Sequence, residues 1–487
     1  MVVKNAHEFG GFVLRDLLTE IVDYGQSKGA DFLEVRYESS DETVFHMEDG
    51  RVESVKQGIE SGFAIRVLAR GSWGFATVNT ETALREATEN AVKMAITTSR
   101  HIKEPVTLSE TETVEDTVTI RPDVNPNDVH IEEKLKLFST LNDFVLNYDK
   151  AIRSCTIDYA DITGRKCYVN SEGTVIEQDV LYVWSRIVAT ARKGDVFASS
   201  REELGSTRGF GFLRETPPES IGQRIAERLM NQIRAKTPRG GSFPVVLGPE
   251  VTGVFTHEAF GHLAEADLTI SGNVLAKNLG MQIASPLVTI YDDGTVEGGF
   301  GSFRYDDEGV STQKTVLLKE GYVVGLMYDR EYASKIQRLE NLMVPTEMIG
   351  QFNVKPTGNA RAEDFRSPPL IRMRNTYIEP RDYTFDELLE DIDFGYYLVS
   401  FRGGQANLDG TFQVGIQEAY EIVNGELGDP VRNVSISGNT LETLMRVDAV
   451  GKDFELHSGR CGKGQVAYVG DGGPSIRVRN LIVGGTD

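Results

Sequence analysis

Cysteine is scarce in this chain, with three in 487 residues. An odd and small number in so long a chain builds no disulfide framework, so the core must hold the fold. Histidine is nearly as rare, at seven. No run of about 18 apolar residues occurs, which excludes a helix spanning a bilayer and gives no reason to expect a membrane partner. Basic residues are outnumbered, 51 against 73 acidic, leaving a net charge of −22. Such a surface repels phosphate backbones, and no basic stripe with interleaved aromatics offsets it; nucleic acid is not an expected partner. The opening Met1-Val2-Val3-Lys4 lacks a charged region followed by an apolar one, so it does not read as a secretory signal. The cytoplasm is the expected compartment.

What is present is concentrated. Two of the histidines frame His257-Glu258-Ala259-Phe260-Gly261-His262, an H-E-x-x-x-H hexapeptide after a short apolar strand. Neutral imidazoles and an adjacent carboxylate are what a hydrolytic zinc site needs: nitrogen ligands, and a base for the attacking water. The spacing is unusual. At about 100° per residue, an ideal α-helix would set positions i and i+5 roughly 140° apart, too far to share an ion. A π-bulge or kink would bring them back together, and Gly261, lacking a Cβ, eases such distortion. Two unrelated histidines on one helix would leave the same letters.

Cys461, in Ser458-Gly459-Arg460-Cys461-Gly462-Lys463-Gly464-Gln465, is the candidate third ligand. Its flanking glycines permit a sharp turn, and Arg460 and Lys463 would favour the thiolate. A loop cysteine without a role is the plainer reading of those residues by themselves. His457, four residues earlier, is a rival ligand or proton donor. Cys155 and Cys167 fall in strand-like segments and read as small buried hydrophobes. His7, His46, His101 and His130 have no partner visible in sequence.

These residues, together with Ala30-Asp31-Phe32-Leu33-Glu34-Val35-Arg36, Tyr305-Asp306-Asp307-Glu308-Gly309, Thr357-Gly358-Asn359-Ala360-Arg361, Arg372-Met373-Arg374-Asn375-Thr376 and Ser437-Gly438-Asn439, resemble the TldD/PmbA metallopeptidases, in particular the metal-carrying TldD branch. The likeness covers most of the chain. It implies a zinc bound by His257, His262 and Cys461, with Glu258 as base. It also implies a two-part α+β protein with the metal in a C-terminal sheet domain. The resemblance further implies a dimer enclosing the site, either a homodimer or a heterodimer with a metal-less paralogue. Its substrate would be an extended peptide that adds as a strand.

The patterning agrees with an α+β class and more than one domain. A first module, 1–118, opens with a helix on which Leu14, Leu17, Leu18, Ile21 and Val22 recur. Strands follow around the hairpin signals Asp49-Gly50 and Arg70-Gly71, then a helix with Leu84, Ala87, Ala91 and Met94 on one face. The second module, 119–236, repeats this plan in part. Glu172-Gly173 and Lys193-Gly194 hold the corresponding turns, which reads as a duplication. Its closing helix carries the ladder Ile221, Ile225, Leu229 and Ile233. Lys236-Thr237-Pro238-Arg239-Gly240-Gly241 marks a boundary, and 243–487 is β-rich apart from a metal-site helix over 250–263.

No P-loop and no G-x-S-x-G elbow occurs. Asp292-Asp293 and Asp306-Asp307-Glu308 lack EF-hand spacing and read as solvated turn carboxylates. The expected function is that of a zinc-dependent peptidase acting on small or unfolded peptides with little sequence preference. The alternative is a non-hydrolytic peptide-binding or maturation subunit with a structural metal. A third reading, regulation of DNA topology, comes from the family's association with gyrase and is opposed by the charge. No substrate-binding residue is identifiable at this stage.

Overall fold

Strands of unusual length organise the first half of the computed structural model, which describes residues 11–343, 352 and 354–485. Helix α1 (Gly11–Ser27) leads into β1 (Phe32–Glu48), β2 (Arg51–Ala69) and β3 (Ser72–Val78), then α2 (Leu84–Thr98) and β4 (Glu115–Val118). The same order returns as α3 (Ile131–Tyr148), β5 (Ile152–Asn170), β6 (Val175–Lys193), β7 (Val196–Ser206), the short α4 (Phe212–Glu215) and α5 (Pro218–Arg234). The expected hairpins form. Asp49 and Gly50 take φ of 49° and 80°, and Arg70 and Gly71 take 53° and 73°, the positive values that a type I′ turn requires at both central positions.

The strands of both modules enter one seven-stranded sheet, ordered β3-β2-β1-β5-β6-β4 with β7 on β6. One face is apolar. Leu18, Ile21, Ala87 and Ala91 of α1 and α2 pack on Val35, Ile65 and Val67, while Phe138, Ile225 and Leu229 of α3 and α5 pack on Phe45, Ile157 and Ile187. Met94 departs from its expected face and is 49% exposed; Val92 and Ala95 complete the buried stripe instead. Cys155 and Cys167 are buried, as their strand positions suggested, and burial pushes both thiols up to about 12.

The other face of this sheet carries the buried polar residues Glu34, Arg36, Arg66 and Gln178 where the C-terminal half covers it. That half comprises β8 (Gly241–Leu247), α6 (Pro249–Phe255), α7 (Ala266–Ile270), β9 (Ile290–Asp293), β10 (Lys314–Lys319), β11 (Tyr322–Val323) and α8 (Arg330–Met343). It continues with β12 (Ala360–Arg361), β13 (Leu370–Ile371), β14 (Asn375–Ile378), α9 (Phe385–Leu389), β15 (Phe394–Ala406), β16 (Thr411–Val423), β17 (Glu426–Val431) and β18 (Val434–Asn439). Helix α10 (Thr440–Met445), β19 (Val447–Val450), β20 (Glu455–Gly462), β21 (Val466–Gly473) and β22 (Ile476–Gly485) end it. Strands β15, β8, β22, β18 and β16 close on themselves through a β15–β16 pairing, with β17 and β19 attached; a second sheet runs β11-β10-β9-β14-β21-β20. Helix α6 lies between the two, and Val251, Phe255, Phe260 and Leu263 share one core with Leu398, Val414, Ile290 and Val469.

The acidic runs are not solvated turns. Asp292, Asp293, Asp306, Asp307 and Glu308 are all buried. Asp292 accepts from the backbone N of Arg374 at 2.8 Å, Thr376 Oγ1 at 2.8 Å and Asn359 Nδ2 at 2.7 Å. Asp307 faces Lys166 at 2.9 Å, and Glu308 faces Arg66 at 2.6 Å, joining the C-terminal half to the polar face of the first sheet. A buried carboxylate persists only when donors and cations complete it, and charge counts along a chain carry no record of those partners.

Candidate metal centre

The helix bearing His257 is regular only at its start. Pro249, which tolerates a first turn, opens α6, and after Phe255 the chain makes a π turn over Thr256–Gly261 and a 3₁₀ turn over His262–Ala264. The backbone N–H of His262 donates to the carbonyl of His257, an i+5 bond that brings the two residues nearly one above the other. The distortion therefore supplies the alignment that an ideal helix denies this spacing. Gly261 contributes differently from expectation. Its φ of −55° is ordinary helix, but a Cβ there would stand 2.2 Å from Met373 Sδ. Close packing, rather than backbone freedom, demands glycine.

Cys461 arrives from β20, an edge strand paired with β21 so that Cys461 opposes Ala467. Arg372 holds this hairpin by donating from its two terminal nitrogens to the carbonyls of Cys461 and Gln465, both at 2.6 Å. The donor atoms of His257, His262 and Cys461 all lie within 4.8 Å of one another. Cys461 Sγ is 3.3 Å from His262 Nε2, and the two imidazole planes stand at 86°. Two ligands of one tetrahedral zinc, with bonds of about 2.3 and 2.1 Å, would be about 3.6 Å apart. Nδ1 of His257 is buried without a hydrogen-bond partner. Donor chemistry and spacing thus fit a zinc ion. Among the described residues no other histidine, cysteine or carboxylate joins the group; His457 instead faces Glu455 at 3.3 Å.

Charge is shared tightly within the trio. Burial opposes ionisation of the Cys461 thiol, but the charge of His257 and hydrogen bonds from both imidazoles bring it down to about 4. Burial likewise opposes a charged His262, yet Cys461 and Glu265 hold it up at about 10. Arg460 and Lys463 do not play the part their sequence positions suggested. The Arg460 guanidinium lies 3.7 Å over the Trp184 ring, and Lys463 Nζ contacts Asp267 at 2.7 Å and Glu265 at 3.3 Å.

Glu265 escaped the sequence reading. It is wholly buried, and its carboxylate lies 2.9 Å from His262 Nδ1, the arrangement that orients a metal-binding imidazole and raises its basicity. A carboxylate three residues beyond the second histidine was the available signal. Glu258, half-buried on the same π turn, lines a cleft of about 260 Å³ with His257, Glu250, His457, Arg460 and Asp471. His46 also has a partner unseen in sequence, Asp158 at 2.7 Å. His7 lies outside the described residues.

Models of PmbA/TldA metallopeptidases match this chain in three pieces: domain 1 over 33–95, the central domain over 124–233 and the C-terminal domain over 240–485. The chain belongs to the PmbA/TldD metallopeptidase family. A Methanothermobacter thermautotrophicus metalloprotease is 40% identical, the match covering 94% of this chain and 96% of that protein. The zinc metalloprotease TldD homolog of Saccharolobus solfataricus is 37% identical over 94% and 97% respectively. The crystal structure of TldE from Thermococcus kodakarensis superposes with a TM-score of 0.74 at 21% identity, over 96% of this chain and all of that one, a likeness of fold alone. Within this PmbA/TldD member, no described helix is long and apolar enough to cross a membrane.

Proposed function

We propose that this chain is a zinc-dependent peptidase that hydrolyses small or unfolded peptides with little sequence preference. One observation carries the reading: a π turn and an edge strand 199 residues apart converge three zinc-type donors beside a cleft walled by a carboxylate. His257, His262 and Cys461 would hold the ion, which when bound acidifies water and polarises the scissile carbonyl. Glu258 accepts a proton from the attacking water and passes it to the departing amine. Glu265 keeps the His262 ring in place. Three protein donors leave a position open, which favours this reading over a structural metal in a non-hydrolytic subunit.

The substrate enters extended and adds main-chain hydrogen bonds as a strand beside the site, so that backbone rather than side chains is recognised. Assembly follows the family resemblance, as a dimer with a second copy or with a metal-less paralogue. The low count of basic residues speaks against a nucleic-acid partner. Unpaired Cys155 and Cys167 and a thiolate among the metal ligands suit a reducing compartment, the cytoplasm.

Metal analysis paired with cleavage of a labelled unstructured peptide tests the whole. The expected result is about one zinc per chain and turnover that a chelator removes and added zinc restores. Turnover indifferent to the chelator would refute it.

A further inference from the structure

The cleft beside the metal ligands carries more negative charge than its own residues can neutralise. Glu203 is ion-paired with Arg201, and Glu202 receives Arg224 at 2.8 Å and Arg228 at 3.1 Å. Glu258 lies beside the ligand His257, and His457 meets Glu455 at 3.3 Å. Two carboxylates remain. Glu250, from the first turn of α6, accepts only from neutral donors, Ser400 Oγ at 2.7 Å and the backbone N of Phe401 at 3.3 Å. Asp471 has less. It is 8% exposed, and among the described residues no hydrogen-bond donor or ion-pair cation meets its carboxylate.

Position explains why Asp471 stays open. Strand β21 places Val469 and Asp471 on one face, toward the cleft. On the neighbouring strand, Gly459 presents no side chain over it; a Cβ there would come within 3.7 Å of Asp471 Oδ1. His457, directly opposite Asp471 on β20, pairs with Glu455 at 3.3 Å and makes no hydrogen bond to Asp471, and Arg460 is turned onto Trp184. Burial pushes Asp471 up to about 6 and Glu250 up to about 7, outweighing the opposing charges of His257 and His457 on the first and of His457 and Arg228 on the second. A second metal ion does not account for them, since only His257, His262 and Cys461 cluster at ligand distances among the described residues.

We infer that Asp471, assisted by Glu250, receives a cationic group of the bound peptide, a protonated amine or guanidinium, and so sets where a peptide seats against the metal ligands. The cation could be the peptide's own free amino end or a lysine or arginine side chain. Both offer charged donors to a carboxylate kept dry, where such a bond is strongest. The inference takes from the peptidase reading only that the ligand is a peptide.

Three quenched fluorescent peptides of one sequence test it on the zinc-loaded full chain. One has an acetylated end and a single lysine, one a free amino end with norleucine for lysine, and one is acetylated with norleucine and so uncharged. At least one cationic peptide should exceed the neutral one in kcat/KM by about tenfold or more, and which of them does so identifies the source of the charge. Asp471→Asn, nearly isosteric, should bring that ratio close to one, and Glu250→Gln should lower it. Binding of the same peptides to Glu258→Gln, followed by fluorescence anisotropy, gives the discrimination without turnover. Equal handling of charged and neutral peptides by the wild-type chain overturns the inference while leaving the peptidase reading intact. Asp471-dependent preference in binding, with no hydrolysis by the wild-type chain, supports the inference and removes the peptidase reading.

Discussion

Replacing Glu265 by glutamine tests the centre without touching a metal ligand. The substitution keeps the shape and leaves an amide oxygen able to accept from His262 Nδ1, 2.9 Å away, but removes a wholly buried charge. Loss of such a partner lowers zinc affinity by about 10- to 100-fold, or about 1.4–2.7 kcal/mol. Folding should survive, because Lys463 keeps Asp267 at 2.7 Å. A proton count accompanies the affinity. In the metal-free chain His262 titrates at about 10, raised above its ordinary 6.5 against the pull of burial by Cys461 and Glu265. Cys461, at about 4, is already ionised at neutral pH. Zinc can bind only neutral imidazole, and Cys461 holds both His262 and His257 above the ordinary imidazole value against the pull of burial, so zinc uptake releases imidazole protons rather than a thiol proton and affinity rises with pH. The same raised value means that charged His262 stabilises the metal-free fold. That contribution is complete below pH 6.5 and lost as pH rises through about 10. Calorimetry in buffers of different ionisation enthalpy reads affinity and proton release together. In Glu265→Gln both should fall. A folded variant with unchanged affinity and unchanged proton release would refute the role assigned to Glu265.

Three further outcomes follow from the same geometry. Cys461→Ala should emerge from purification without zinc and without peptide cleavage, read by metal analysis; retained stoichiometric zinc would require a different third ligand. Glu258→Gln should keep its zinc while kcat falls by about 10²- to 10⁴-fold, and undiminished turnover would eliminate it as the base. Arg66→Ala strips the shared cation from Glu34 and Glu308, which face it at 3.1 and 2.6 Å and are 4% and 3% exposed. Leaving buried charges unpaired costs about 3–5 kcal/mol, so thermal unfolding should begin markedly earlier, most of all where the two halves meet.

Much was legible in the residues. Period-2 and period-3.6 patterns located the long hairpins and the helix carrying Ile221, Ile225, Leu229 and Ile233, because each element must bury one stripe. The i+5 spacing of His257 and His262 predicted a distorted turn, since only a π turn aligns them. Lone cysteines and a rarity of histidine drew attention to the few that matter. What could not be read was anything that depends on who stands across a gap. Asp292, Asp306, Asp307 and Glu308 look like surface charge until Arg66, Lys166, Asn359 and the backbone around Arg374 are folded against them. Gly261 looks like a hinge until Met373 is packed beside it, and Lys463 looks like an activator of the thiolate until Asp267 and Glu265 take its charge. Local spacing is a property of neighbours along the chain and so is written in their order. Burial, ion pairing and the convergence of Cys461 on two histidines about 200 residues away arise from contacts between distant segments, which only the folded packing of the sheets decides.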